Sequence, residues 1–377
     1  MPEGQGFKLT MVNRMIAANL THRPIRSLIS IVAIALEVTL ILMIVGLSLG
    51  ILNDSKQRQA GIGADVIVMP PGSSFIVGLT GAPMSIKVGD IVAKLPHVSV
   101  VAPVVTNVSA SGALEVIAGI DLDTYQKLGP FRFLQGGPFQ GPYDALVDDL
   151  FARSKRIKVG DSLEILDHAF RVAGIVEHGK GARKFVPIGT MQDLIGAKDK
   201  ASVLYLKLDN PANADQVVDE IKHVPGMEHY QAVSMAYYLS MMTPSNTPGL
   251  LSFITVVIAI SLIIGFLVIF QAMYTAVMER TREIGILKAL GASKLYIVNV
   301  ILRETTLLAL LGIVVGVIFS LVARIGLRHK LPLLQVDYSA EWMIRATVIA
   351  IGGALLGALY PAYKAAQKDP IDALAYE

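Results

Sequence analysis

The sequence predicts an integral membrane α-helical protein: four transmembrane helices, with a large α+β extracytoplasmic domain between the first and the second. Three observations carry this. The 377 residues are 53% hydrophobic and only 17% charged, with a mean hydropathy of +0.56, which is too apolar for a soluble domain of this size. The apolar residues gather near the N-terminus and in the last third of the chain. The intervening residues 53–249 carry strand and helix patterns but no apolar run long enough to span a bilayer.

The first span is expected over residues 27–52, SLISIVAIALEVTLILMIVGLSLGIL, apolar except for Glu37. It exceeds the roughly 20 residues that cross a bilayer. Lys8, Arg14, Arg23 and Arg26 precede it, and no short apolar core with a small-residue cleavage site is evident, so a retained signal anchor is expected. Further spans are expected over 250–278, 305–323 and 342–362. Basic residues lie in the N-terminal segment 1–26, in the 279–304 segment (Arg280, Arg282, Lys288, Lys294, Arg303) and in the 363–377 tail (Lys364, Lys368). The positive-inside rule places these three on the cytoplasmic side, both termini included. Residues 324–341 then form an outside loop despite Arg324, Arg328 and Lys330. FKLTMVNRMIAANL, Phe7–Leu20, has the pattern of a helix lying in the cytoplasmic interface, set off from the span by Pro24.

In the outside domain, DVIVMP (65–70), SVVAPVVTNVSA (99–110), LEVIAGI (114–120) and SVLYLKL (202–208) read as strands rich in β-branched residues. SLEIL (162–166) and FRVAGIV (170–176) read as a hairpin turning at Asp167-His168-Ala169. ANADQVVDEIKHV (212–224) places Val217, Val218 and Ile221 on one helical face, ended by Pro225-Gly226. QGGPFQGP (135–142) breaks regular structure and marks the division between two subdomains, if the domain has two.

Several function classes are excluded or left without support. Cysteine is absent, so disulfides, thiolate metal sites and cysteine nucleophiles are excluded. A net charge of +3 without Lys/Arg tracts gives nucleic acid no footprint. His97, His168, His178, His223 and His229 have no metal-ligand spacing. No Ser/His/Asp or paired-carboxylate arrangement points to catalysis. GIVEHGKG, Gly174–Gly181, approaches a phosphate-binding P-loop, but Gly181 stands where the Mg²⁺-binding hydroxyl belongs. The following FVP reads as a strand rather than a helix. A Gly/Lys hairpin tip is expected there, with Lys180, Arg183 and Lys184 free to meet an anion. Glu37 is costly within a bilayer, roughly 2.5–3.5 kcal/mol if ionised and unpaired. It is therefore expected to face the bundle or a dimer interface, as a structural acid or as a group acting in ligand contact or gating. Gly353 and Gly357 form a G-x-x-x-G pair suited to close helix contact. Tyr237, Tyr238, Met241 and Met242, just before the second span, are candidates for an apolar ligand region at the outer interface, or an interfacial anchor.

Residues 279–304 carry the strongest signal. Glu279 through Leu290 reads as a short amphipathic helix with Ile284, Leu287 and Leu290 in one stripe and Ile286 beside it, surrounded by Glu279, Arg280, Arg282, Glu283 and Lys288. Gly285 is its one weak helix former and Gly291 permits a turn. Such a ridge suits the groove of a soluble partner; it also suits a basic anchor that only sets topology. ERTREIGILKALGAS closely resembles the cytoplasmic coupling segment of the MacB/FtsX-type ABC transporter permeases, which include the lipoprotein-releasing LolC and LolE proteins. Glu279, Arg280, Arg282, Glu283, Ile284, Gly285, Lys288, Ala289, Leu290, Gly291 and Ala292 carry the match. YPAYKAAQKDPIDAL resembles the family's C-terminal signature through Pro361, Ala362, Ala365, Ala366, Pro370, Ala373 and Leu374. The lead-in NLTHRPIRSLISI and the strands around VGDSLEIL and FRVAGIV are also similar.

The resemblance implies a permease subunit of the bacterial cytoplasmic (inner) membrane. Its energy comes from a separate ABC ATPase subunit that binds ATP and Mg²⁺, leaving no cofactor in this chain; a fused ATPase is not expected about twenty residues ahead of a first span. It implies a second permease copy, in a homodimer or a heterodimer. It also implies contact with membrane lipid and admits an extracytoplasmic adaptor protein. The function it implies is export or membrane extraction of a hydrophobic or amphipathic substrate by mechanical transmission. The alternative is an FtsX-like transmembrane relay that controls an extracytoplasmic protein.

Overall fold

The computed structural model describes residues 24–73, 83–109 and 115–368. The helix expected at Phe7–Leu20, and Pro370, Ala373 and Leu374 of the C-terminal signature, lie outside the described residues. In chain order the elements are α1 (Pro24–Ala60), β1 (Val66–Met69), β2 (Met84–Ser85), α2 (Lys87–Val92), β3 (Val98–Ser109), β4 (Glu115–Ile120), α3 (Leu122–Leu128), β5 (Phe133–Gly136), β6 (Asp144–Asp148), α4 (Asp149–Lys155), β7 (Ser162–Ile165) and β8 (His168–Val176). There follow β9 (Lys184–Pro187), α5 (Ile188–Leu194), β10 (Lys200–Ala201), β11 (Val203–Leu208), α6 (Ala214–Lys222), β12 (Gln231–Ser234), α7 (Met235–Met241), α8 (Leu250–Glu279), α9 (Thr281–Ala289), α10 (Lys294–Lys330) and α11 (Ala340–Gln367). They divide into two compact units, one from Met1–Ser48, Ser252–Gly326 and Val336–Glu377, the other from Leu49–Leu251 and Leu327–Gln335.

The second unit is built on a ten-stranded mixed sheet in the order β12-β1-β11-β3-β4-β9-β6-β8-β5, with β7 also paired to β8. Its β4–β9 and β6–β8 pairs are parallel. The sheet runs without interruption past residues 135–142, which link β5 to β6. β1 is buried at all four positions, which is why VIVM is continuously apolar rather than alternating. Val66 and Val68 face Val217 and Ile221 of α6, while Ile67 and Met69 join Tyr125, Phe131 and Phe185 on the other face. The β7–β8 hairpin turns on Leu166 and Asp167 alone, with φ of 50° and 62°, rather than on Asp167-His168-Ala169. A two-residue turn with both residues left-handed matches strand twist, and Asp is among the residues that tolerate it. Leu is not, so composition pointed one residue too far along.

Arg183 and Lys184 are not available to an anion. Arg183 bridges Asp54 of α1 at 2.9 Å and Asp148 at 3.0 Å. The other oxygen of Asp148 caps α4 by accepting from the Phe151 amide at 2.6 Å. Burial pushes the Asp148 carboxyl up, and Arg183 opposes the rise. Lys184 is buried, with Nζ over the Phe151 ring at 4.6 Å. The loop at Gly174–Gly181 leads into β9, not into a helix. Its backbone is engaged: the Gly181 amide donates to the Arg58 carbonyl at 2.8 Å, and the Lys180 carbonyl accepts from the Tyr125 hydroxyl at 2.9 Å.

The first unit holds helices long and apolar enough to cross a membrane, drawn from Ser27–Ala60, Leu250–Glu279, Lys294–Lys330 and Ala340–Gln367. The buried side of α11 is a ladder of small residues. Ala346, Ala350, Ala354, Ala358, Ala362 and Ala366, four apart, are each 0–2% exposed. A Cβ added at Gly353 would meet Leu262 Cδ1 at 2.7 Å, and one at Gly357 the Phe266 carbonyl oxygen at 2.8 Å. The expected G-x-x-x-G pair therefore lies against α8. A second pair went unread in the sequence: Gly312 and Gly316 of α10 lie against α1, where added Cβ atoms would meet Ile34 Cβ and the Ala35 carbonyl oxygen, each at 2.7 Å. At Gly352, by contrast, an added Cβ would meet nothing within 4 Å among the described residues.

Gly357→Ala is therefore expected to lower thermal stability by about 1–3 kcal/mol, the usual cost of overpacking. Gly352→Ala should be neutral or slightly stabilising, since alanine favours helix. Thermal unfolding of the two detergent-purified variants checks this; equal midpoints would contradict the packing.

Candidate functional site

The 279–304 segment is built as helix, break, short helix, turn, helix. α8 ends at Glu279. At the break Thr281 turns its hydroxyl back to donate to the Val277 and Met278 carbonyls at 3.2 and 2.8 Å, so carbonyls freed at a helix end find a donor. α9 then runs nine residues and stops in a Schellman turn. The Ala292 amide donates to the Leu287 carbonyl at 3.0 Å and the Gly291 amide to Lys288 at 2.9 Å, with Gly291 at φ 93°. Ser293 opens α10, its Oγ accepting from the Tyr296 amide at 3.2 Å.

Side chains of this segment divide into an inward and an outward set. Arg280 pairs with Glu304 of α10 at 3.1 Å, both largely buried. Ile284 joins Val277, Ile297, Ala365 and Ala366 in one apolar cluster. Lys288 Nζ donates to the Ala366 carbonyl at 3.0 Å and to that of Lys368, a cation placed on the C-terminal carbonyls of α11. Gly285 is buried, and Leu287 lines a cavity of about 60 Å³ together with Met273, Tyr296 and Glu304. Glu279, Arg282, Glu283 and Gly291 are exposed. Leu290 is 80% exposed and Leu295 81%, with Ile286 also outside. The expected stripe is thereby split: Ile284 packs into the bundle, and the outward apolar surface comes from Ile286, Leu290 and Leu295. The helix begins at Thr281, not Glu279, because Arg280 leaves the helical path with φ −105° and ψ 18°. Glu304 and Leu295 were missed. Glu304 was open to detection, since an acid entering an apolar helix demands a partner.

Glu37 is 4% exposed, and its Oε1 has no hydrogen-bond partner among the described residues. It fills the space beside Gly265 of α8, where any side chain would collide with the carboxylate; a Cβ added at Gly353 of α11 would come only within 3.8 Å of its Oε1. The four residues before α8 do not share one surface. Tyr237 is exposed, Tyr238 packs against the sheet core, where burial pushes its hydroxyl up to about 12, and Met241 and Met242 are half-buried. Of the histidines, His97 and His178 bond Asp209 and Asp149, each at 2.9 Å, and His168 and His223 bond nearby carbonyls.

Residues 27–224 match the model of the MacB-like periplasmic core domain, and residues 255–370 that of the FtsX-like permease C-terminal. Among curated relatives, the macrolide export ATP-binding/permease proteins MacB of Escherichia coli (strain K12) and Shigella flexneri are each 25% identical over 98% of this chain. The chain spans 60% of the length of each. Of solved structures, the periplasmic region of MacB from Actinobacillus actinomycetemcomitans aligns with 48% of this chain and 94% of its own, at 14% identity and a TM-score of 0.38. The extracellular domain of the noncanonic ABC-type transporter YknZ from Gram-positive bacteria aligns with 45% and 98%, at 14% identity and a TM-score of 0.35.

Breaking the Arg280–Glu304 pair from either side strands a buried charge, which typically costs about 3–5 kcal/mol. Arg280→Gln and Glu304→Gln should each lower the thermal midpoint, and the double variant should lose clearly less than their sum. Additive losses would show that the two side chains act independently.

Proposed function

This chain belongs to the MacB/FtsX-type permease family, and on that premise we propose that it is the permease subunit of an ABC transporter driven by a separate ATP-binding subunit. The observation that carries the reading is the geometry of α9. A short helix presents Ile286 and Leu290 to solvent while Arg280, Ile284 and Lys288 tie it to α10 and α11. A soluble ATPase that grips the exposed side would move the helices behind it. ATP and Mg²⁺ belong to that partner, and Glu279, Arg282 and Glu283 offer it charged contacts around the apolar ridge.

The substrate we propose is hydrophobic or amphipathic, exported or drawn from the outer leaflet by motion relayed to the extracytoplasmic domain. The narrow helix contacts at glycine and alanine favour relayed motion over a wide aqueous path. The protein resides in the bacterial inner membrane, with the segment around α9 on the cytoplasmic side, and works as a homodimer or with a second, different permease. Relatives named for macrolide export and ATP binding support transport over a relay to an extracytoplasmic protein.

Affinity purification of the chain from its native membrane should bring down an ATP-binding subunit. Leu290→Glu should abolish that association while leaving thermal stability unchanged, because the side chain touches little of its own protein. A well-folded chain that recovers no ATPase would remove the transporter reading. In the complex, Glu37→Gln keeps the shape of the buried side chain; it should preserve assembly but lower the ATPase response to a lipophilic substrate at least twofold. An unchanged response would reduce Glu37 to a packing role.

A further inference from the structure

The extracytoplasmic unit carries a groove that neither its sheet core nor its ion pairs explain. It lies between edge strand β5, the helix α4 and the end of β8, with a volume of about 590 Å³, within the roughly 300–1,000 Å³ of small-ligand sites. Ala152 and Ile175 form its floor, both buried. Leu134 and Val159 stand exposed on its walls, at 46% and 38%. Arg153, Arg156 and Lys158 line it as well.

The charges there do not cancel. Among the described residues Asp149 is the one acid in the lining, and it is already satisfied. Its Oδ1 accepts from the backbone and ring nitrogens of His178, each at 2.9 Å, and its Oδ2 accepts from Arg153. Burial works to raise the Asp149 carboxyl, but the His178 bonds and Arg153 outweigh it and hold the group below the usual carboxylate range. Arg153 is thus committed to Asp149. Arg156 and Lys158 are exposed and have no ion-pair partner among the described residues. Two uncompensated cations therefore sit beside apolar side chains that water covers poorly.

We propose that this groove binds a soluble single-chain amphipathic anion, an alkyl phosphate or carboxylate, with its head on Arg156 and Lys158 and its chain along Leu134, Val159 and Ile175. The proposal rests on the transport reading and gives it a substrate class. An extended acidic peptide adding to β5 is the competing occupant. The edge argues against it: β5 is four residues long, and its pairing with β8 is irregular between Phe133 and Gln135. Short, bulged edges resist strand addition.

The test is hydrogen–deuterium exchange of the full chain in nanodiscs of zwitterionic lipid. Dodecyl phosphate below its micellar concentration should protect peptides covering residues 133–136 and 149–159. Dodecyltrimethylammonium and inorganic phosphate should not. The Arg156→Glu/Lys158→Glu variant should raise the apparent Kd at least tenfold, and Leu134→Asp should also weaken binding. Equal protection by the cationic amphiphile or by inorganic phosphate, or an unchanged Kd in the charge-reversed variant, overturns the proposal. In the ATPase complex, dodecyl phosphate should stimulate hydrolysis, and the charge-reversed variant should lose the stimulation but keep the basal rate. Stimulation that survives in the variant overturns the groove and leaves the transport reading intact. If no ATPase partner is recovered, the transport reading falls, and the exchange experiment alone decides the groove.

Discussion

Close approach of helix backbones at glycine and alanine is the constraint on which the helical unit rests. In lipid, apolar side chains gain nothing from leaving water, so helices associate through van der Waals packing at small residues. Here α11 offers a face of six alanines at four-residue spacing, with Gly353 and Gly357 beside them. α10 offers Gly312 and Gly316 to α1, and Thr39 donates to the Gly316 carbonyl at 3.1 Å across that contact. Glu37 obeys the same rule. Its carboxyl fits because Gly265 supplies the room, and a larger residue there would expel it.

In the extracytoplasmic unit apolar clusters cover both faces of the sheet, and a charge cluster joins several of its elements. Arg183 gathers Asp54 and Asp148 around one guanidinium, Asp54 also pairs with Arg58 at 3.0 Å, and Gln335 donates to Asp54 at 3.3 Å. Two acids and two arginines balance. Balance matters more than number, because burying these groups costs nearly what their attraction returns. The cluster links the end of α1 to the start of α4 and the segment leading into β9.

The sequence was most legible where one physical signal acted alone. Long apolar runs marked the helices of the membrane unit, and β-branched runs marked β1, β3, β4 and β11. Legibility failed where tertiary context decided. Leu166 takes a left-handed turn that its side chain does not favour, because the strands on either side hold it there. Ile284 and Leu290 look equivalent on a helical wheel; only the neighbouring Val277, Ile297 and Ala365 assign Ile284 inward. Arg183 and Lys184 read as available cations since their partners lie far away in sequence. At the groove beside β5, Arg156 and Lys158 were invisible as a pair with Leu134, because sheet pairing is what brings them together.

The 279–304 segment shows how such context acts. A nine-residue helix is too short to be stable alone in water, so α9 exists as a helix only through its attachments. Those attachments reach different helices: Arg280 to α10, Lys288 to the C-terminal carbonyls of α11, and Ile284 to the cluster that both share. The Gly291 turn then joins α9 directly to α10. A push on Leu290 cannot be absorbed by bending α9 away from the bundle without breaking a buried ion pair and uncapping a helix. In this chain Arg280, Ile284 and Lys288 hold the helix to the bundle, while Glu279, Arg282, Glu283 and Leu290 stay on its exposed side.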